Sequence, residues 1–216
     1  MVSDRNAATL VGVLFIIGTM AGVLSLLVTD PLVNTPDYLA RIAANPAQMA
    51  LGALLVLVMG FALAMVPVLF YPIGRRYSEV LAMGYIVFRG ALETVTYMIS
   101  ALGWLFLIAL GRTSAAAPAS FVRTAEGLIW DQVIALPFVV GAIMFYYLLY
   151  EHRLVPRWLS IWGLVGAVLY LGAPLTNMFG VTSLGALMAP LALQEMVLAV
   201  WLIAKGFSAP VRANAQ

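Results

Sequence analysis

Three charges stand where charges are expensive. Arg89 and Glu93 lie inside Leu81–Leu110, a long and mostly apolar run, and Glu195 lies inside another, Leu184–Ala204. Such runs are membrane spans, because a helix rising 1.5 Å per residue crosses the ~30 Å hydrocarbon layer in about 20 residues. A lone charge at mid-membrane costs ~2.5–3.5 kcal/mol on insertion scales, so charges there face a bundle interior or an aqueous cavity and find partners. Arg89 and Glu93 are four apart and share a helix face. Helix rise puts Arg89 roughly 12–15 Å in from the start of its span and Glu93 about 6 Å deeper. Glu195 falls near the midplane of its own span. One layer would then hold one positive and two negative charges. That is chemistry for a substrate, an ion or a proton, with one of the two carboxylates expected to carry the proton. Equally, it is chemistry for a structural cluster that grips a neighbouring helix.

Three further polar residues are candidates beside these. Tyr97 lies one turn beyond Glu93, within reach to donate to it or simply to pack. Gln194 neighbours Glu195 but points roughly 100° away, towards a different face. Asp131 sits one turn inside its span, where an acid is favoured by the helix dipole. The ligand-binding set expected from sequence is therefore Arg89, Glu93, Glu195, Tyr97, Gln194 and Asp131. His152 belongs to a basic turn and reads as an exposed loop histidine. There are no cysteines and one histidine. Thiolate nucleophiles, disulfides, iron–sulfur clusters and multi-histidine metal or haem sites are excluded. Phosphate-loop, Gly-x-Ser-x-Gly and H-E-x-x-H patterns are absent. No cofactor, no metal and no catalytic residue is expected, and a non-enzymatic protein is the favoured expectation.

The elements that position these groups follow from hydropathy. Of 216 residues, 64% are hydrophobic and 9% charged, with a mean hydropathy of +1.04. Soluble domains carry about 25% charged residues. The chain reads as an all-α integral membrane protein, a six-transmembrane-helix bundle forming one domain over 1–207. The spans are about 8–29, 47–71, 81–110, 128–150, 158–179 and 184–204, with a disordered tail at 208–216. The first span is too long for a signal-peptide core and contains Gly18 and Gly22 at a spacing that favours close helix packing. Asp37 is expected to cap a short interfacial helix, and Ser78 to cap the third span. Pro67 and Pro72 predict a kink or an early end to the second. Gly111–Gly127 reads as the longest loop, mobile at its centre, and Gly180–Ser183 as an uncharged turn. Trp104 reads as an interface anchor and Phe145–Tyr150 as an aromatic belt. Lys205 and Gly206 form a helix stop. Seven basic residues fall on the loops that share a side with both ends of the chain and three on the opposite loops. Both termini are therefore expected in the cytoplasm.

Several segments together resemble a known family. They are Arg75-Arg76-Tyr77-Ser78-Glu79, Gly84-Tyr85-Ile86-Val87-Phe88-Arg89, Leu154-Val155-Pro156-Arg157-Trp158-Leu159-Ser160, Leu193-Gln194-Glu195-Met196 and Lys205-Gly206-Phe207. The resemblance, covering roughly Ala7 to Phe207, is to the bacterial six-span membrane proteins numbered 4386 among domains of unknown function. It implies a multi-pass protein of the bacterial inner (plasma) membrane and brings no catalytic residues with it. The leading functional expectation is binding or transport of a small hydrophobic or amphiphilic molecule at an intramembrane charged pocket. The alternatives are an accessory or regulatory subunit, its charges purely structural, and a lipid-modifying membrane enzyme. Expected partners are the lipid bilayer, a small amphiphilic ligand, and a membrane protein or a second copy of the chain. No nucleic-acid footprint is present.

Overall fold

The computed structural model describes residues 3–113, 115–180 and 185–208. All regular structure among them is helical. In chain order the α-helices are α1 (Asp4–Val33), α2 (Tyr38–Ala44), α3 (Pro46–Gly74), α4 (Glu79–Tyr85), α5 (Glu93–Arg112), α6 (Ala116–Leu128), α7 (Ala135–Glu151), α8 (Arg157–Met178) and α9 (Ala189–Ala204). Two wider, π-helical turns, Ile86–Leu92 and Ile129–Val133, join α4 to α5 and α6 to α7 without breaking either rod. Six rods result, each long and apolar enough to cross a membrane. They suggest a multi-pass membrane protein. A closed helical ladder is the economical solution in lipid, because backbone amides there have no water to bond.

The rods form a ring in chain order. α1 packs along α3, α3 along the third rod, the third against the fourth, α7 against α8, α8 against α9, and α9 against α1. Small residues set the closest approaches. A Cβ on Gly18 would lie 2.7 Å from Leu63, and one on Gly22 would lie 2.6 Å from Met59 Sδ. These glycines pack within the chain against α3. A Cβ on Gly12 would lie 2.5 Å from the Ala199 carbonyl, which locks α1 to α9 near the start of the chain. Large apolar side chains such as Leu27, Phe61, Val80 and Val168 are exposed on the outside, the pattern of a lipid-facing surface.

Several local expectations hold. Ser78 accepts from the Leu81 amide at 3.3 Å and caps α4. Gly206, with φ +77°, follows Lys205 at the end of α9. Others are corrected. The segment 116–128 is helix, not loop: alanine favours helix, Pro118 falls in the first turn, and Ala119 and Glu126 are buried. α3 runs through Pro67 to Gly74, and α1 through Pro31 to Val33. Asp37 makes no capping bond. It pairs instead with Arg41 at 3.0 Å. Trp104 is buried against Gly52 rather than placed at an interface. Phe145 and Tyr146 are core residues, whereas Tyr147 is exposed. The aromatic run is thus split by helix periodicity, one face in and one face out. His152 stacks on Tyr77, with ring centroids 4.3 Å apart. The expected turn at 181–183 and the tail beyond Ser208 lie outside the described residues.

Candidate functional site

The π-helical turn Ile86–Leu92 carries Arg89 into the centre of the bundle. The wider turn shifts the hydrogen-bond register, so that the Glu93 amide bonds Phe88 O. Such turns occur often at functional positions. Opposite it, Gly141 on α7 leaves room: a Cβ there would lie 3.1 Å from Arg89 Cβ and N. Arg89 is 2% exposed and Glu93 is fully buried. Arg89 Nη1 lies 3.2 Å from Glu93 Oε2, and Nη2 donates to Glu195 Oε1 at 3.1 Å. Tyr97 donates to Glu93 Oε1 at 2.6 Å. The guanidinium sits 4.4 Å from the Phe138 ring centroid, a stabilising arrangement when desolvated. The third and sixth rods therefore do bring Arg89, Glu93 and Glu195 together, with two carboxylates on one arginine.

A cavity of about 230 Å³ adjoins this cluster. Its polar wall is Arg89, Tyr97 and Glu195, and its apolar wall includes Leu63, Phe138, Tyr170 and Trp130. Glu93 is not in the wall. It stands behind Arg89 and Tyr97 and fixes both. On the side facing out of the bundle the cavity is bounded by Val23 and Leu26 of α1 and by Ala192 of α9, all exposed on the outer surface. α1 and α9 touch tightly at Gly12 and Ala199, and the Arg5 guanidinium donates to Ile203 O at 2.7 Å. The chamber occupies the space between their other ends, so its mouth is lateral and apolar.

A second cavity, about 310 Å³, lies at the end of the bundle away from Asp4. Asp30, Asn34, Arg123, Glu126 and Asp131 line it, with Trp104. Arg123 pairs with Glu126 at 2.9 Å and donates to Asn34 Oδ1 at 3.2 Å. Leu26 and Trp130 line both cavities. Trp130 stands on the second π-helical turn, with its ring 5.9 Å from that of Tyr97.

The sequence-derived candidates therefore separate into three places. Arg89, Tyr97 and Glu195 face the chamber, with Glu93 buried behind them. Asp131 faces the outer cavity instead. It is not at a helix start, because α6 leads directly into the π-helical turn Ile129–Val133 that carries it. Gln194 faces away from the chamber and donates to Leu159 O at 3.0 Å, tying α9 to α8. Residues that sequence reasoning passed over include Thr19, Phe138, Trp130 and Tyr170. Aromatic residues inside apolar spans carry no mark distinguishing a cavity wall from packing. Trp130, one residue from Asp131 and so close to a charge within an apolar run, offered the best available signal.

Among the described residues no cluster of acids and histidine is arranged to hold a metal ion. The family model described as Domain of unknown function (DUF4386) matches residues 10–206. No curated protein and no solved structure matches the chain.

Proposed function

We propose, for a chain that belongs to the DUF4386 family of unknown function, that the chamber binds a small amphiphilic molecule within the membrane. The reading places the bundle in a bacterial inner membrane, as the family resemblance implies, and both ends of the chain in the cytoplasm, on the bias of basic residues. The observation that carries it is the chamber itself. A space of about 230 Å³ has apolar and aromatic walls, a lateral mouth between α1 and α9, and three polar groups at one side. Ligand sites share this composition, mostly apolar with a few fixed polar groups. The apolar part of a ligand would enter from lipid beside Val23 and Ala192. Its polar part would meet Arg89, Tyr97 and Glu195. Glu93 would hold Arg89 and Tyr97 in place beforehand, which reduces the ordering cost of binding.

The accessory-subunit reading keeps one observation in its favour: Arg89 already touches both carboxylates. An enzymatic reading gains nothing comparable. The test is thermal stabilisation of purified protein by a series of short-chain alcohols, amines and carboxylates, for the native chain and for Ala192→Trp. Ala192 is exposed at the mouth, so the larger side chain plugs it without disturbing the core. The reading expects at least one series to stabilise the native chain and Ala192→Trp to abolish the effect. Stabilisation by none of the series, or equal stabilisation of both chains, overturns it.

A further inference from the structure

We infer that the outer cavity is a cation-preferring aqueous access path to Glu195, with Trp130 as its gate. The inference deepens the proposed ligand chamber by naming the face, and the charge class, from which water-soluble species reach it. Three observations carry it. The first is continuity. Leu26 and Trp130 belong to the walls of both cavities, so their side chains stand between the polar outer cavity and the chamber where Glu195 lies. Trp130 is carried by the π-helical turn Ile129–Val133.

The second is one-sidedness. On the side of the chamber nearer Asp4, packed rings close the bundle. Phe145 lies 4.9 Å from Phe70 and 4.7 Å from Tyr85, and Phe70 lies 5.5 Å from Phe207. Phe15, Phe70, Tyr85 and Phe145 are each 0–1% exposed. Beyond them α1 and α9 are locked at Gly12 and Ala199. Among the described residues this layer is built of packed rings.

The third is charge. The outer cavity presents three carboxylates, Asp30, Glu126 and Asp131, against the single guanidinium of Arg123. Arg123 is paired with Glu126, whereas Asp30 and Asp131 have no ion-pair partner among the described residues. The chamber beyond sets Glu195 in its wall beside Arg89, with Glu93 buried behind them. A cation moving inward therefore meets excess negative charge in the outer cavity and the Glu195 carboxylate at its inner end, and a low-dielectric cleft lined by one sign concentrates the opposite ion.

The chain has no cysteine, which permits a direct test. Thr19, half-buried in the chamber wall, is replaced in a Thr19→Cys chain reconstituted in sealed vesicles. A trimethylammonium-bearing methanethiosulfonate and its sulfonate-bearing analogue are applied to each side in turn. The expected result is labelling only from the side that exposes Asp30 and Asp131, about tenfold faster for the cationic reagent. Adding Trp130→Ala should accelerate labelling by about tenfold, as removal of a gating side chain does. If Trp130→Ala does not fold, Leu26→Ala opens the same partition from α1. Labelling from both sides, no labelling, no acceleration with the partition opened, or preference for the anionic reagent overturns the inference. None of these results depends on a bound amphiphile. A failed gate thus leaves the alcohol, amine and carboxylate test standing, and a failed ligand test leaves the gate measurable.

Discussion

Replacing Arg89 by glutamine should be the most damaging single charge change in this protein, and the structure gives a scale for it. Among the described residues Arg89 is the only cation touching Glu93 and Glu195, at 3.2 and 3.1 Å. Its removal leaves two carboxylates facing one site, one fully buried and the other 12% exposed. Breaking a buried pair by deleting one partner costs about 3–5 kcal/mol, because an uncompensated charge stays behind. For a chain of this size about 1 kcal/mol moves the midpoint by roughly 2–4 °C, so the expected loss is roughly 6–20 °C. Glu195→Gln is the contrast. It leaves Arg89 balanced by Glu93 alone, keeps an oxygen near Nη2, and preserves the Tyr97–Glu93 bond. Its cost should stay below about 1.5 kcal/mol, the ordinary net worth of one hydrogen bond. The assay is tryptophan emission during thermal unfolding in detergent at neutral pH. An Arg89→Gln midpoint close to that of the native chain would refute the reasoning. So would a Glu195→Gln loss as large as that of Arg89→Gln.

Packing and surface changes give further tests. Gly163→Ala places a Cβ about 2.5 Å from the buried Tyr146 ring, an overpacking that should cost about 1–3 kcal/mol in the same melt. Arg76→Ala removes an ion pair with Asp4 that is half exposed; it should cost less than about 1 kcal/mol, and the native chain should lose that increment in high salt. The Arg41 guanidinium holds the exposed Asp37 carboxyl below its ordinary 3.8. A lowered folded value stabilises above the unfolded value and is lost as pH falls through the folded one. Amide exchange across α2 should therefore quicken as pH falls below about 4, relative to the rest of the bundle, and Asp37→Asn should remove that dependence.

Charge was the legible part of the site. Arg89, Glu93 and Glu195 stood out because apolar spans make every charge conspicuous, and counting helix rise put them in one layer. Tyr97 followed from its spacing to Glu93. The chamber was not legible, since Thr19, Phe138, Trp130 and Tyr170 have the same composition as the packing around them. The π-helical turns were invisible for a similar reason: Ile86–Leu92 and Ile129–Val133 use ordinary helix-compatible residues, and the extra residue per turn is set by packing. The segment 111–127 misled because small and polar residues suggest a loop. Burial of Ala119 and Glu126 against the third rod makes 116–128 a helix. Gln194 misled by adjacency, because one residue along a helix turns the side chain to another neighbour.

The central claim, a ligand chamber between α1 and α9, is tested most directly by photolabelling. A short alkyl amine carrying a diazirine is irradiated with the reconstituted protein, and the modified residues are mapped by mass spectrometry. The account predicts saturable labelling concentrated on Thr19, Gly22, Trp130 and Ala192, removed by Ala192→Trp. Labelling spread over the lipid-facing residues of all six rods, unsaturable and unchanged by Ala192→Trp, would contradict it.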